Sequence, residues 1–211
     1  MSLSMKAGAA IAVAFLGCAL ADTPPAPAFT PYPAPDFVVN MPDGQPIHLS
    51  SLKGKVVAVL CMYTTCPHCQ ETSKRFTELY KEFGSRGFEP IGVAFNEEVF
   101  GANTTPSRVV GDFVKNFSVG FPMGWTDRAK ILDFLQIGAF QPFVVPQIVW
   151  IDKKGMIRAR TQADGNDREN RMEPYWRMMI DTLTKETAGT TKTSGAKKPV
   201  ASHHASPTAQ K

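Results

Sequence analysis

Apolar residues fall into two alternating kinds of pattern along the middle of the chain. Val56-Val57-Ala58-Val59-Leu60-Cys61-Met62 is an unbroken, largely β-branched run, as expected of a strand buried on both faces of a sheet. Pro90 to Phe95 forms a second such run, and Phe143 to Ile151 a third. Asp152-Lys153-Lys154-Gly155 then reads as a turn, and Met156 to Thr161 alternates, which predicts an antiparallel hairpin. Between and after these runs, apolar positions recur at helical spacing. Phe76, Leu79, Tyr80 and Phe83 predict one amphipathic helix, with Gly84 at its end. Val109, Val110, Phe113, Val114 and Phe117 predict a second, and Ile131, Leu132 and Leu135 a short third. Trp176, Met179, Ile180 and Leu183 predict a fourth, with Pro174 suited to its first turn. These stripes read as core faces. The order of strands and helices predicts an α/β domain over 36–186 with a central mixed β-sheet flanked by helices.

The two ends have a different character. Residues 1–21 read as a secretory signal peptide: Lys6 is the basic leader, Ala9 to Leu16 the apolar stretch, and Ala19-Leu20-Ala21 the small-residue cleavage pattern. Phe15-Leu16-Gly17-Cys18 also loosely resembles a lipobox, which would tether the chain to a membrane through Cys18. The apolar stretch is short for an uncleaved anchor. Residues 22–35 hold six prolines and predict an extended linker that joins no sheet. Residues 187–211 form a low-complexity basic tail, expected to be disordered, and its His203-His204 pair reads as solvated rather than metal-bound.

Composition and charge follow this division. The 211 residues are 43% hydrophobic and 20% charged, enough for one cored domain without disulfide staples and too apolar for wholesale disorder. The net charge of +4 belongs to the ends. Without Lys6 and the four lysines of 187–211 the body stands at −1, which gives no electrostatic support for a nucleic-acid surface.

Export would place the mature chain where disulfides persist, and it would leave three cysteines: Cys61, Cys66 and Cys69. Cys66-Pro67-His68-Cys69 stands where the first strand gives way to the first helix. At a helix N-terminus, free backbone N–H groups and the positive dipole end favour a thiolate, and a cysteine three residues on is close enough to form a disulfide with the first. Pro67 suits the first turn, and His68 brings a donor and, when protonated, a positive charge beside Cys66. Both features stabilise the reduced pair and make its disulfide the stronger oxidant. A structural disulfide and a zinc site are the competing readings. Zinc would need two further ligands, but no second Cys-x-x-Cys exists, and outside the motif the body offers only His48 among its histidines. Cys61 lies within the strand and reads as a buried small hydrophobe.

These residues resemble the thioredoxin-like superfamily, and within it the exported thiol–disulfide oxidoreductases of the TlpA and ResA type. The similarity covers about 36–186 and is carried by DGQPIHLSSLKGKVVAVL (43–60), Cys66-Pro67-His68-Cys69 and PQIVWIDKKGMIRART (146–161). It implies a thioredoxin-like fold, no cofactor and no metal, and an exchange of disulfides through a Cys66–Cys69 redox pair. Cys66 would attack, Cys69 would resolve, and Pro146 would be a cis proline packed against the pair. The backbone of Val145 would pair with an extended substrate. Partners implied are protein thiols or disulfides and a membrane redox partner, with the chain itself a monomer in the periplasm or facing the cell exterior. Departures are visible. Thr65 stands where the family usually has Trp, and Leu60 replaces a buried carboxylate, leaving Glu97 and Glu98 as candidates for proton handling. Pro67-His68, and Val145 before the proline, are instead features of DsbA-type oxidants, so scaffold and active-site loop point to opposite directions of electron flow. Three other functions fit less well. A dedicated electron donor for cytochrome c maturation or metallo-oxidase assembly would share the chemistry with a narrower partner. A peroxiredoxin would want Pro and Thr or Ser where Val59 and Tyr63 stand, and a Sco-like copper-binding carrier uses a spacing one residue longer.

Overall fold

The computed structural model describes residues 29–96, 99 and 101–186. The signal peptide, Cys18, the first half of the Pro-rich segment, Glu97, Glu98 and the basic tail with His203 and His204 lie outside the described residues. Among the described residues eight strands and four α-helices follow one another as β1 (Tyr32–Pro33), β2 (Val38–Val39), β3 (Ile47–His48), β4 (Val56–Met62), α1 (Pro67–Phe83), β5 (Phe88–Ala94), α2 (Pro106–Phe117), β6 (Met123–Trp125), α3 (Arg128–Leu135), β7 (Gln147–Ile151), β8 (Met156–Arg160) and α4 (Glu173–Lys185).

The main sheet has the order β1-β8-β7-β4-β5-β6. β5 runs parallel to β4 and to β6, while β7 is antiparallel to β4, and β8 and β1 continue antiparallel outward. This is the mixed sheet expected of a thioredoxin-like fold. β4 lies at its centre and all seven of its residues are buried. Its period of two divides them between layers. Val56, Ala58, Leu60 and Met62 pack under α1, α2 and α4, with Phe76, Val110 and Ile180 above them. Val57, Val59 and Cys61 face Ile131, Phe134 and Leu135 of α3. Trp150 of β7 and Phe88 of β5 stack at 6.2 Å beneath Phe76, whose ring lies 4.8 Å from that of Trp176.

Two strand expectations need correction. The Pro-rich segment does join the sheet: Tyr32 pairs with Ile157 and Pro33 with Met156. An edge strand tolerates proline because one of its sides needs no ladder bond. The apolar run from Phe143 becomes strand only at Gln147, and residues 143–146 form a loop. Pro90 obeys the edge rule from within β5. Gly92 N–H, two residues on, donates to Pro122 O on the β6 side, and β6 pairing begins only at Gly92. The missing N–H of Pro90 therefore points where no strand lies.

The helices follow the predicted stripes. Thr105 caps α2 by accepting the Arg108 N–H, and Pro174 sits in the first turn of α4. α1 ends at Phe83 but continues as a 3-10 turn, and the left-handed residue that stops it is Gly87 (φ 88°) rather than Gly84. Gly124 lets β2's end approach β6: a Cβ there would lie 2.1 Å from Asn40 O. The bridge from Asn40 to Trp125, with both backbone bonds at 2.9 Å, needs that space.

Candidate active site: two thiols at the mouth of a helix

β4 ends at Met62, and the chain turns through Tyr63-Thr64-Thr65 into α1. Cys66 occupies the N-cap with extended backbone (φ −83°, ψ 120°) and offers no side-chain cap, while Pro67 holds the first turn. The Cys66 N–H donates to Tyr63 O (3.2 Å), and Gln70 N–H donates to Cys66 O (3.1 Å), which begins the helix. Buried Asn96 locks the turn from β5's end. Its Oδ1 accepts the Thr64 N–H and its Nδ2 donates to Thr64 Oγ1, both at 3.0 Å. Gln70 Nε2 donates to Thr64 O (3.2 Å).

The two thiols differ in environment. Cys66 is partly exposed, whereas Cys69 is fully buried. Both are free thiols, and Cys66 lies near enough to Cys69 to act on its ionisation. Burial pushes the Cys69 thiol far above its ordinary range, the backbone of Tyr63 draws it back a little, and neighbouring Cys66 raises it further. Cys69 is therefore held protonated while Cys66 meets solvent. Cys61, also fully buried, is likewise pushed up by desolvation.

That burial has a pH consequence. A thiol whose folded pKa is raised stabilises the fold fully below its unfolded value, ordinarily 9.0 for cysteine, and that contribution is lost as pH rises towards the folded value. Urea melts of the reduced protein should show stability falling above about pH 9, with Cys61→Val removing about 1.4 kcal/mol per pH unit of the slope. Coincident slopes for parent and variant would show that Cys61 ionises freely in the folded chain.

Opposite the cysteines lies the loop 143–146. The Val145–Pro146 peptide bond is cis, and Cys66 Sγ stands 3.8 Å from Val145 O. Cys66, Cys69, Val145 and Pro146 are thus brought together, and Pro67 sits at the helix start. His68 is exposed and lines a neighbouring groove of about 640 Å³ with Val144, Val145, Pro146, Arg171 and Met172. It makes no hydrogen bond to Cys66 among the described residues. Leu60 is buried beneath the site and Thr65 is exposed.

Several residues of the site carry no motif. Just before the cysteines, Tyr63 packs edge-on against Phe95 (4.8 Å) and Phe143 (6.5 Å). The Arg128 guanidinium covers Phe143 at 5.1 Å and donates to Tyr63 Oη. Asn96, Arg128, Gln147 and Arg171 carry no signature that sequence reasoning picks out, save that Gln147 is a lone amide inside an apolar run.

Comparison with known proteins agrees with this geometry. The model of the AhpC/TSA family matches residues 31–160. The thiol–disulfide oxidoreductase ResA of a Bacillus cereus strain is 30% identical over 124 residues, 59% of this chain and 64% of that protein. ResA of Bacillus subtilis (strain 168) is 30% identical over 125 residues, 59% of this chain and 62% of its own length. The chain thus spans just under two thirds of these relatives. Among solved structures, a thiol:disulfide interchange protein of the thioredoxin family from Chlorobium tepidum TLS superposes with a TM-score of 0.57 at 22% identity, over 74% of this chain and 98% of that one, which supports the fold. With 130 consecutive residues matched across the sheet and both cysteines, the chain belongs to the AhpC/TSA family and has the thioredoxin-like fold.

Proposed function

We propose that the chain is an exported thiol–disulfide oxidoreductase that exchanges disulfides with protein substrates through Cys66 and Cys69. The observation that carries this reading is the asymmetry of the pair: a partly exposed sulfur at the mouth of α1, with a buried one in the helix's first turn. In the reducing direction, the Cys66 thiolate attacks a substrate disulfide. One S–S bond forms, one breaks, and a substrate thiolate leaves. Cys69 then gives up its proton and attacks Cys66 Sγ, which releases the second substrate thiolate. Two electrons have passed to the substrate and the pair is left as a disulfide. The oxidising direction is the reverse, opened by a substrate thiolate attacking Cys66. Val145, whose backbone N–H has no partner among the described residues, would pair with the extended substrate across the site, beside Pro146.

Export rests on the leader pattern of 1–21, and no helix among the described residues is long and apolar enough to cross a membrane. A membrane redox partner would then complete the cycle. The Pro67-His68 pair and Val145 suit an oxidant, whereas the TlpA/ResA-type scaffold suits a reductase, and a dedicated electron donor for cytochrome c maturation or metallo-oxidase assembly would be its narrow form. The test is direct. Oxidised protein should lose two alkylatable thiols, at positions 66 and 69, and should turn over either insulin disulfides or a reduced dithiol peptide. Absence of both activities would sink the reading. A couple near about −270 mV would drive reduction, and one near about −120 mV oxidation.

A further inference from the structure

The loop that faces Cys66 is held by side chains that no motif announces. Arg171, the last residue of the short 3-10 turn 168–171 that precedes α4, has a side chain 18% exposed and spends its guanidinium three ways. Nε donates to Asp167 Oδ1 (3.0 Å), Nη1 to Pro146 O (2.6 Å) and Nη2 to Gln162 O (2.8 Å). Asp167, 3% exposed, is held in turn, its Oδ2 accepting the Gln162 N–H at 2.8 Å. Gln147 adds a second set of bonds and shares the Gln162 carbonyl with Arg171. Its Nε2 donates to Val144 O (2.7 Å) and to Gln162 O (3.2 Å), and its Oε1 accepts from Thr161 Oγ1 (2.8 Å). Thr161 Oγ1 itself accepts the Ile148 N–H at 3.0 Å, and Val144 N–H is spent on Ala163 O at 2.9 Å.

This arrangement fixes the backbone on both sides of one residue and leaves that residue open. Val144 loses its N–H and its carbonyl to the network, and Pro146 loses its carbonyl. Val145 between them keeps its N–H unspent, and its carbonyl faces Cys66 Sγ. We propose that Arg171, with Gln147, is a positioning residue for substrate exchange. The two side chains clamp the carbonyls of Pro146 and Val144, so that the Val145 backbone is presented at a fixed height beside Cys66 to an extended polypeptide. The inference deepens the oxidoreductase reading and rests on it. A guanidinium suits the task because its rigid fork spreads fixed donors towards a carboxylate and two carbonyls, whereas an ammonium's three donors radiate from one point on a flexible stem.

A brace of this kind acts on polypeptide substrates and not on disulfides too small to reach Val145. The experiment compares insulin with neutral 4,4′-dithiodipyridine as oxidised substrates for the full reduced chain and for Arg171→Lys, which keeps a cation opposite Asp167. KM for insulin should rise about tenfold, the worth of roughly one lost backbone hydrogen bond, with kcat held. The rate with dithiodipyridine should stay within about twofold, because attack by Cys66 does not use the clamp. Should Arg171→Lys fold poorly by circular dichroism, Asp167→Asn/Arg171→Gln removes both charges together and must give the same split. Equal losses with both substrates, or no change with either, overturn the clamp while leaving the oxidoreductase intact. A parent chain that exchanges with neither compound overturns both.

Discussion

Cys69→Ala is expected to turn the protein into a trap. The half-exposed Cys66 can still attack a substrate disulfide, but no neighbouring thiol then resolves the product, so the mixed disulfide accumulates. Turnover should fall by about a thousandfold or more, because an oriented intramolecular thiol outpaces millimolar external thiols by at least that margin. Non-reducing electrophoresis and mass spectrometry should place the adduct on Cys66, and Cys66→Ser/Cys69→Ala should capture nothing. An adduct on buried residue 69 in Cys66→Ser, at a comparable rate, would invert the assigned roles. The captured proteins also separate the two forms of the proposal. One dominant adduct marks a dedicated electron donor, and a broad set marks a general oxidoreductase.

Phe76→Ala should produce the largest loss of stability. Phe76 is fully buried in α1 and its ring touches the indoles of Trp150 and Trp176 and the ring of Phe88, at centroid separations of 6.0, 4.8 and 6.4 Å. Truncation removes the ring and leaves a cavity walled by three stiff aromatic side chains that cannot collapse into it. The expected cost is about 3–5 kcal/mol in urea melts. Phe140, fully exposed, is the control, and its replacement by Ala should move stability by no more than about 0.5 kcal/mol. A Phe76 loss below about 1 kcal/mol would mean that α1 settles onto the sheet and refills the space. Because α1 also carries the cysteines, such settling should show as a changed reduction potential.

What the sequence disclosed follows from how local each cause is. β4 was legible because seven consecutive apolar residues can only be buried on both faces, and the four helices because their stripes repeat every three or four residues. β1, β2, β3 and β6 are two or three residues long, and each exists because a distant backbone lies alongside: Tyr32 against Ile157, Val38 against His48, Gly92 against Met123. No local pattern records such a partner. Loop 143–146 looked like strand since Phe143, Val144 and Val145 are apolar, yet Val144 O and Pro146 O are taken by side chains rather than by a ladder. The same division holds at the site. Cys66 and Cys69 announce themselves by spacing. Asn96, Gln147 and Arg171 reach it from three separate elements, and their meaning lies in which carbonyl or amide each one finds.

The borders of the main sheet bear on how the protein behaves when concentrated. On one flank the outermost strand is two residues long and includes Pro33, and on the other the three-residue β6 already has Asn40 bonded along its outer side. Among the described residues neither β1 nor β6 offers a row of free amides to a second molecule, so these outermost strands give strand-to-strand stacking between copies no template. On the proposed function, the same short borders would help the domain stay dispersed among partly unfolded, adhesive clients.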